Sequence, residues 1–192
     1  MSRRNPHARA DVAIEQEVLR LATLVPREPG TPLAAGAEER AIAWFQMSQD
    51  FPLPLEVVEW LRFSDGSMIG PGGIYGLDAF KRTFAIQPGF KARHWLPLGT
   101  DGCGDYYVLA LNSEDPPLRP VYFIDPHASN GYDRPTYAVA SGFWQFLKFL
   151  FQGELSEKRW PFDAAHVLEL DPELANVRSA VLPWAADERS RS

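Results

Sequence analysis

Cysteine is nearly absent: Cys103 is the only one in 192 residues, so no intramolecular disulfide can form. Stability must come from an apolar core, and a single free thiol fits a reducing compartment. Histidine is scarce as well. His7, His94, His127 and His166 are scattered, without the close ligand pairs of a zinc site, so no metal is expected. No apolar run approaches the ~20 residues of a membrane span. The richest stretch, 143–151, is broken by Gln145 and Lys148. Arg3-Arg4 is followed by Arg9, Asp11, Glu15 and Glu17, where a signal peptide would need about 7–15 apolar residues. The expectation is a cytoplasmic protein without membrane association. Basic excess is missing too: 19 Lys and Arg face 25 Asp and Glu, a net charge of −6, which argues against a general nucleic-acid binder. An acidic surface suits a basic partner, or serves solubility alone.

What is present is ordinary globular composition, 45% hydrophobic and 23% charged, in a length suited to one domain with an extension. Such a chain buries roughly 70% of its unfolded surface. Ile14, Val18, Leu21 and Val25 recur at helical spacing, predicting a helix over 11–25 behind a disordered basic tail at 1–10. Residues 26–36 read as a loop carrying Pro26, Pro29, Gly30 and Pro32. Helices are predicted over about 37–49 and 54–63. The second starts at Pro54 and is closed by Asp65-Gly66, glycine supplying the left-handed position.

Beyond Gly66 the pattern turns to strands: 74–77, 95–99, 106–111, 121–124 and 137–139. The pair around Asp101-Gly102-Cys103-Gly104-Asp105 reads as a hairpin, and the short connections require antiparallel pairing. Ser141 precedes a strongly apolar helix over 142–151. Asp171-Pro172 signals an N-cap followed by Pro, predicting a helix over 172–182, with a disordered tail at 187–192. The fold class is therefore α+β: a twisted, mainly antiparallel sheet of about four to six strands with helices packed on it.

The hairpin residues invite several chemical readings. Cys103 with His94 or His127 as base would suggest a nucleophile, but nothing surrounding it marks a thiolate site. Asp101-x-Cys103-x-Asp105 begins like a calcium loop, yet Cys stands third, Tyr106 sixth, and the later ligands are missing. Gly70-x-Gly72 and Gly102-x-Gly104 lack the strand–helix setting of a phosphate cradle. No catalytic residue, cofactor or small-molecule substrate is expected. Trp60 and Trp144 fit core stripes, while Trp95, Trp160 and Trp184 suit either packing or partner contact.

Leu53-Pro54, Trp60-Leu61, Ser64-Asp65-Gly66, Gly102-Cys103-Gly104-Asp105-Tyr106 and Phe143-Trp144-Phe146-Leu147 follow one another in an order that resembles the SUKH superfamily. That group includes fungal cell-wall assembly regulators and bacterial immunity proteins. The resemblance covers roughly 37–151 within a domain at 11–151, leaving 152–186 as a helical extension packed on it. It implies helices on an antiparallel sheet, no catalysis, and a protein partner. The partner would be a cognate toxin domain for an immunity protein, or a cellular protein for a scaffold or regulator of the fungal type. Gly66, Gly102 and Gly104 match as structural positions. Residue type and placement on loops and strand ends suggest Asp65, Asp101 and Asp105 for acidic steering, with Tyr75, Tyr106 and Tyr107 as aromatic anchors.

Overall fold

A computed structural model describes residues 6–25, 33–49, 51–129, 131–155 and 160–185. Eight α-helices occur among them: α1 (Pro6–Leu24), α2 (Glu39–Ser48), α3 (Leu55–Phe63), α4 (Leu77–Ile86), α5 (Pro88–Ala92), α6 (Pro126–Ser129), α7 (Phe143–Glu154) and α8 (Ala164–Leu170). Four strands, β1 (Trp95–Thr100), β2 (Tyr106–Ala110), β3 (Val121–Ile124) and β4 (Tyr137–Ala140), form one antiparallel sheet in chain order. The chain is thus α+β, with the sheet at the lower end of the expected strand number. No helix among the described residues is long and apolar enough to cross a membrane.

The centre of the molecule is α7. Phe143, Trp144, Phe146, Leu147, Phe149, Leu150 and Phe151 are all buried. A helix apolar nearly all round must be covered on several sides. One side meets the sheet, where the Phe146 ring lies 5.1 Å from Tyr107. Other sides pack against α1 and α3, with Trp60 of α3 5.9 Å from Phe151. Fully burying side chains of this size stabilises by about 1.5–3 kcal/mol each relative to exposure.

Side chains alternate across a strand, so the register defines two sheet faces. The α7 face carries Leu96, Gly99, Tyr107, Leu109, Val121, Phe123 and Tyr137, while the opposite face carries Trp95, Thr100, Tyr106, Val108 and Tyr122. Phe90 of α5 covers the second face, 5.3 Å from Tyr106 and 6.2 Å from Trp95.

Several elements differ from the periodicity reading. Helix α1 begins at Pro6, so residues 6–10 are helix; residues 1–5 and the tail at 187–192 lie outside the described residues, as does most of the 26–36 loop. The strand predicted at 74–77 is reduced to bridges from Ile74 to Ser67 and Gly99, and Leu77 already opens α4. The helix predicted over 172–182 is only a 3-10 turn at Pro172–Asn176. Beyond it Asp115 accepts backbone N–H bonds from Arg178 and Ser179, each at 3.0 Å. The carbonyl of Val181 then accepts from Ala138 of β4 at 2.9 Å. Those long-range bonds take the backbone groups a helix would have needed.

Candidate functional site: an aspartate row at the end of the sheet

The β1–β2 hairpin closes with Thr100 opposite Tyr106. One step outward, Asp101 donates its N–H to the carbonyl of Asp105 at 3.3 Å. The Asp101 Oδ1 atom accepts the N–H groups of Cys103 (2.8 Å) and Asp105 (3.2 Å), so this side chain organises the turn. Gly102 and Gly104 stand at φ +86° and +107°, where side-chain-bearing residues are strained. Tyr132 donates its hydroxyl to the Gly104 carbonyl at 3.4 Å.

The β2–β3 register pairs Tyr106 with Ile124, which sets Asp105 beside Asp125 one step further out. Asp125 in turn caps α6: its Oδ1 accepts from His127 N–H at 2.7 Å and Ala128 N–H at 3.1 Å. Asp101, Asp105 and Asp125 therefore form a row across three successive chain segments. Alternation puts that row on the α7 face, in line with Gly99, Tyr107 and Phe123 of the preceding row.

An aromatic row adjoins it. Tyr107 lies 5.2 Å from Phe123, which stacks on Tyr137 at 5.4 Å and 10°. Phe162 meets Tyr137 edge-on at 6.0 Å and is 60% exposed. The carboxylates are thus half-buried at the rim where the core face opens to solvent. Burial raises the Asp105 carboxyl to about 6, with further contributions from Asp101 and Asp125 and a smaller opposing effect of His127. Burial, then Asp101, Tyr137 and Asp105, pushes the Tyr107 hydroxyl up.

The six residues suggested as partner contacts do not form one surface. Asp101 and Asp105 share the row. Tyr107 is a correction: it is only 9% exposed, enclosed by Phe146, Phe123 and Trp160, because its alternation points it toward α7. Tyr106 faces the opposite side, half-buried against Phe90 and Tyr132. Tyr75 is likewise half-buried, and burial raises its hydroxyl. Asp65 lies elsewhere, its Oδ1 accepting the Leu77 N–H at 2.7 Å to cap α4. Gly66 has the expected positive φ, +98°.

Asp125, Phe123, Tyr137 and Phe162 escaped sequence reasoning. A local signal existed for Asp125, since Asp before Pro126 is a helix-start signature. Nothing local pointed to the others, because their neighbourhood depends on strand register. Cys103 is exposed and free. Among the described residues, no group of three or more His, Cys, Asp or Glu is placed to hold a metal ion. A depression of about 480 Å³ lined by Phe51, Pro88, Lys91, Ala92 and His94 includes none of the row's carboxylates.

Helices on both faces of a four-stranded antiparallel sheet, with a turn-organising aspartate hairpin, define an α+β domain in which irregular segments carry the exposed chemistry. The chain belongs to the SMI1 / KNR4 family (SUKH-1), whose pattern matches residues 36–148. None of the curated proteins compared with the chain matches it.

Proposed function

We propose that this protein is a non-catalytic, cytoplasmic protein-binding domain, and specifically an immunity protein that neutralises a cognate toxin domain by covering it. The observation that carries the reading is the aspartate row beside the half-exposed aromatic rim, on a sheet stiffened by α7. Carboxylates steer a basic partner into encounter, and aromatic contacts at the centre slow its release. Membership of the SMI1 / KNR4 family supports a protein partner in general terms. Within the row, Asp101 and Asp105 supply steering, and Phe162 with Tyr137 replaces Tyr107 as the aromatic contact. Asp65, Tyr75 and Tyr106 remain proposed contacts only for a partner that wraps beyond the row.

The test is co-expression with any toxin domain that a neighbouring gene encodes. The expected result is restored growth and a stable complex, with Asp101→Lys slowing association. Continued toxicity with no complex overturns the immunity reading. Capture of a non-toxin cellular partner through the same row would favour the scaffold or regulator alternative.

A further inference from the structure

An open sheet ends in two strands whose outer N–H and C=O groups have no neighbour within the sheet, and such edges pair with extended chain. Strand order leaves β1 and β4 at the edges. On β1, Pro97 has no N–H to give, and the Leu98 carbonyl accepts from Tyr75 at 2.8 Å. The β4 edge is closed from much farther along the chain, where Ala138 donates its N–H to the Val181 carbonyl at 2.9 Å. Residues 178–182 lie beyond position 148, where the family match ends, so this cover is an addition to the family domain. Among the described residues that backbone bond is the only one joining 178–182 to the sheet. The other anchors involve side chains. Asp115 accepts the N–H groups of Arg178 and Ser179, each at 3.0 Å, and also the Ser179 hydroxyl. The hydroxyls of Ser179 and Tyr122 lie 2.6 Å apart. None of the side chains at 178–182 is fully buried.

We infer that the β4 edge is a docking site for an extended segment of a partner protein, and that residues 178–182 occupy it as a displaceable strap. The strap is seated as a ligand strand would be: a backbone carbonyl on Ala138 and a hydroxyl in the notch between Asp115 and Tyr122. Its own sequence therefore gives the chemistry of the occupant. A partner segment carries Ser or Thr in the notch and an aliphatic residue two positions later, as Ser179 precedes Val181. A segment held by so few bonds opens at lower free energy than the sheet beneath it. The fraction of molecules with the strap open then scales the affinity for the partner segment. This site uses none of the row's aspartates and does not depend on the immunity reading.

The experiment pairs amide hydrogen exchange with peptide binding, both on the full chain. Exchange at the Ala138 N–H should stay nearly constant in low urea, while that at Val108 in the central strand β2 rises steeply, because strap opening exposes little surface. Ser179→Ala removes the hydroxyl that bonds to Asp115 and Tyr122, and should speed Ala138 exchange about five- to tenfold. The binding probe is a fluorescein-labelled peptide with the sequence of residues 177–185. It should bind Ser179→Ala more tightly than wild type, by the same factor as exchange rises. Equal urea dependence at Ala138 and Val108 overturns the strap. So do equal peptide affinities, binding to neither protein, or a scrambled peptide that binds as well. If Ser179→Ala fails to fold, Arg178→Pro replaces it, deleting one N–H donor to Asp115. Val177 before it, at φ −71° and ψ 121°, is already in the extended conformation that precedes proline. No toxin enters either readout, so failure of the strap and failure of the immunity reading are separable.

Discussion

Asp171 places its carboxylate Oδ2 2.7 Å from the backbone N–H of Ser141, so a residue from the C-terminal segment anchors the approach to α7. Asp171 is 1% exposed, and Ser141 and Gly142 lead directly into the helix N-terminus. A carboxylate there meets both an unpaired backbone donor and the positive end of the helix dipole. Burial nevertheless raises the Asp171 carboxyl, and its bonds to Ser141 only partly offset that.

Asp171→Ala leaves a buried N–H unsatisfied, and the expected loss is about 1–3 kcal/mol in urea unfolding. Asp171→Asn retains an acceptor and should lose less. The folded carboxyl lies above its unfolded value, so the folded state binds the proton more readily. The wild type should therefore gain stability relative to Asp171→Asn as pH falls through the folded value toward the unfolded one.

Asp105 has the same sign at a less buried position. Its folded value of about 6 exceeds the ordinary 3.8, so ionisation above 6 costs stability and protonation below it recovers it. Asp105→Asn should be more stable than wild type at about pH 7.5, by a few tenths to about 1 kcal/mol given solvent screening. That advantage should vanish by about pH 4, as read from urea midpoints at the two pH values.

Trp160 ties the C-terminal segment to the α7 face of the sheet. Its indole N–H donates to the Val139 carbonyl at 2.8 Å, and its ring stacks on Phe149 at 5.7 Å and 17°. Trp160→Ala should cost about 3 kcal/mol in chemical unfolding, through the cavity and the lost bond together. Trp160→Phe should recover the packing part but not the bond.

The two hairpin glycines separate conformation from space. A Cβ on Gly104, at φ +107°, meets nothing within 4 Å, whereas one on Gly102, at φ +86°, comes 3.0 Å from the Pro71 carbonyl. Gly104→Ala should cost about 1–2 kcal/mol for backbone strain alone. Gly102→Ala should cost more, unless the 70–73 segment shifts. Thermal unfolding of the two variants side by side measures the difference.

Local sequence was enough for α3, α7 and the β1–β2 hairpin. Pro54 and Asp65-Gly66 bracket one helix, an almost unbroken apolar run marks another, and Gly and Asp mark the turn. Each of these signals lies within a few residues of the structure it specifies. It was not enough for α4, whose N-cap residue Gly76 brings no capping side chain of its own. The acceptor for Leu77 comes from Asp65, twelve positions earlier. Nor could it expose the C-terminal segment, where Asp115 and Ala138 claim backbone groups of a sequence that reads as helix.

The candidate site divides in the same way. The amino-acid sequence by itself determined an α+β chain with an Asp-Gly hairpin and the motif order of its family. Tertiary structure alone decided that Asp125 joins Asp101 and Asp105, that Tyr107 turns inward beneath Trp160, and that Tyr106 faces the other side. The physical reason is strand register. It is set by the burial of one whole face, and it brings together residues that share no local pattern.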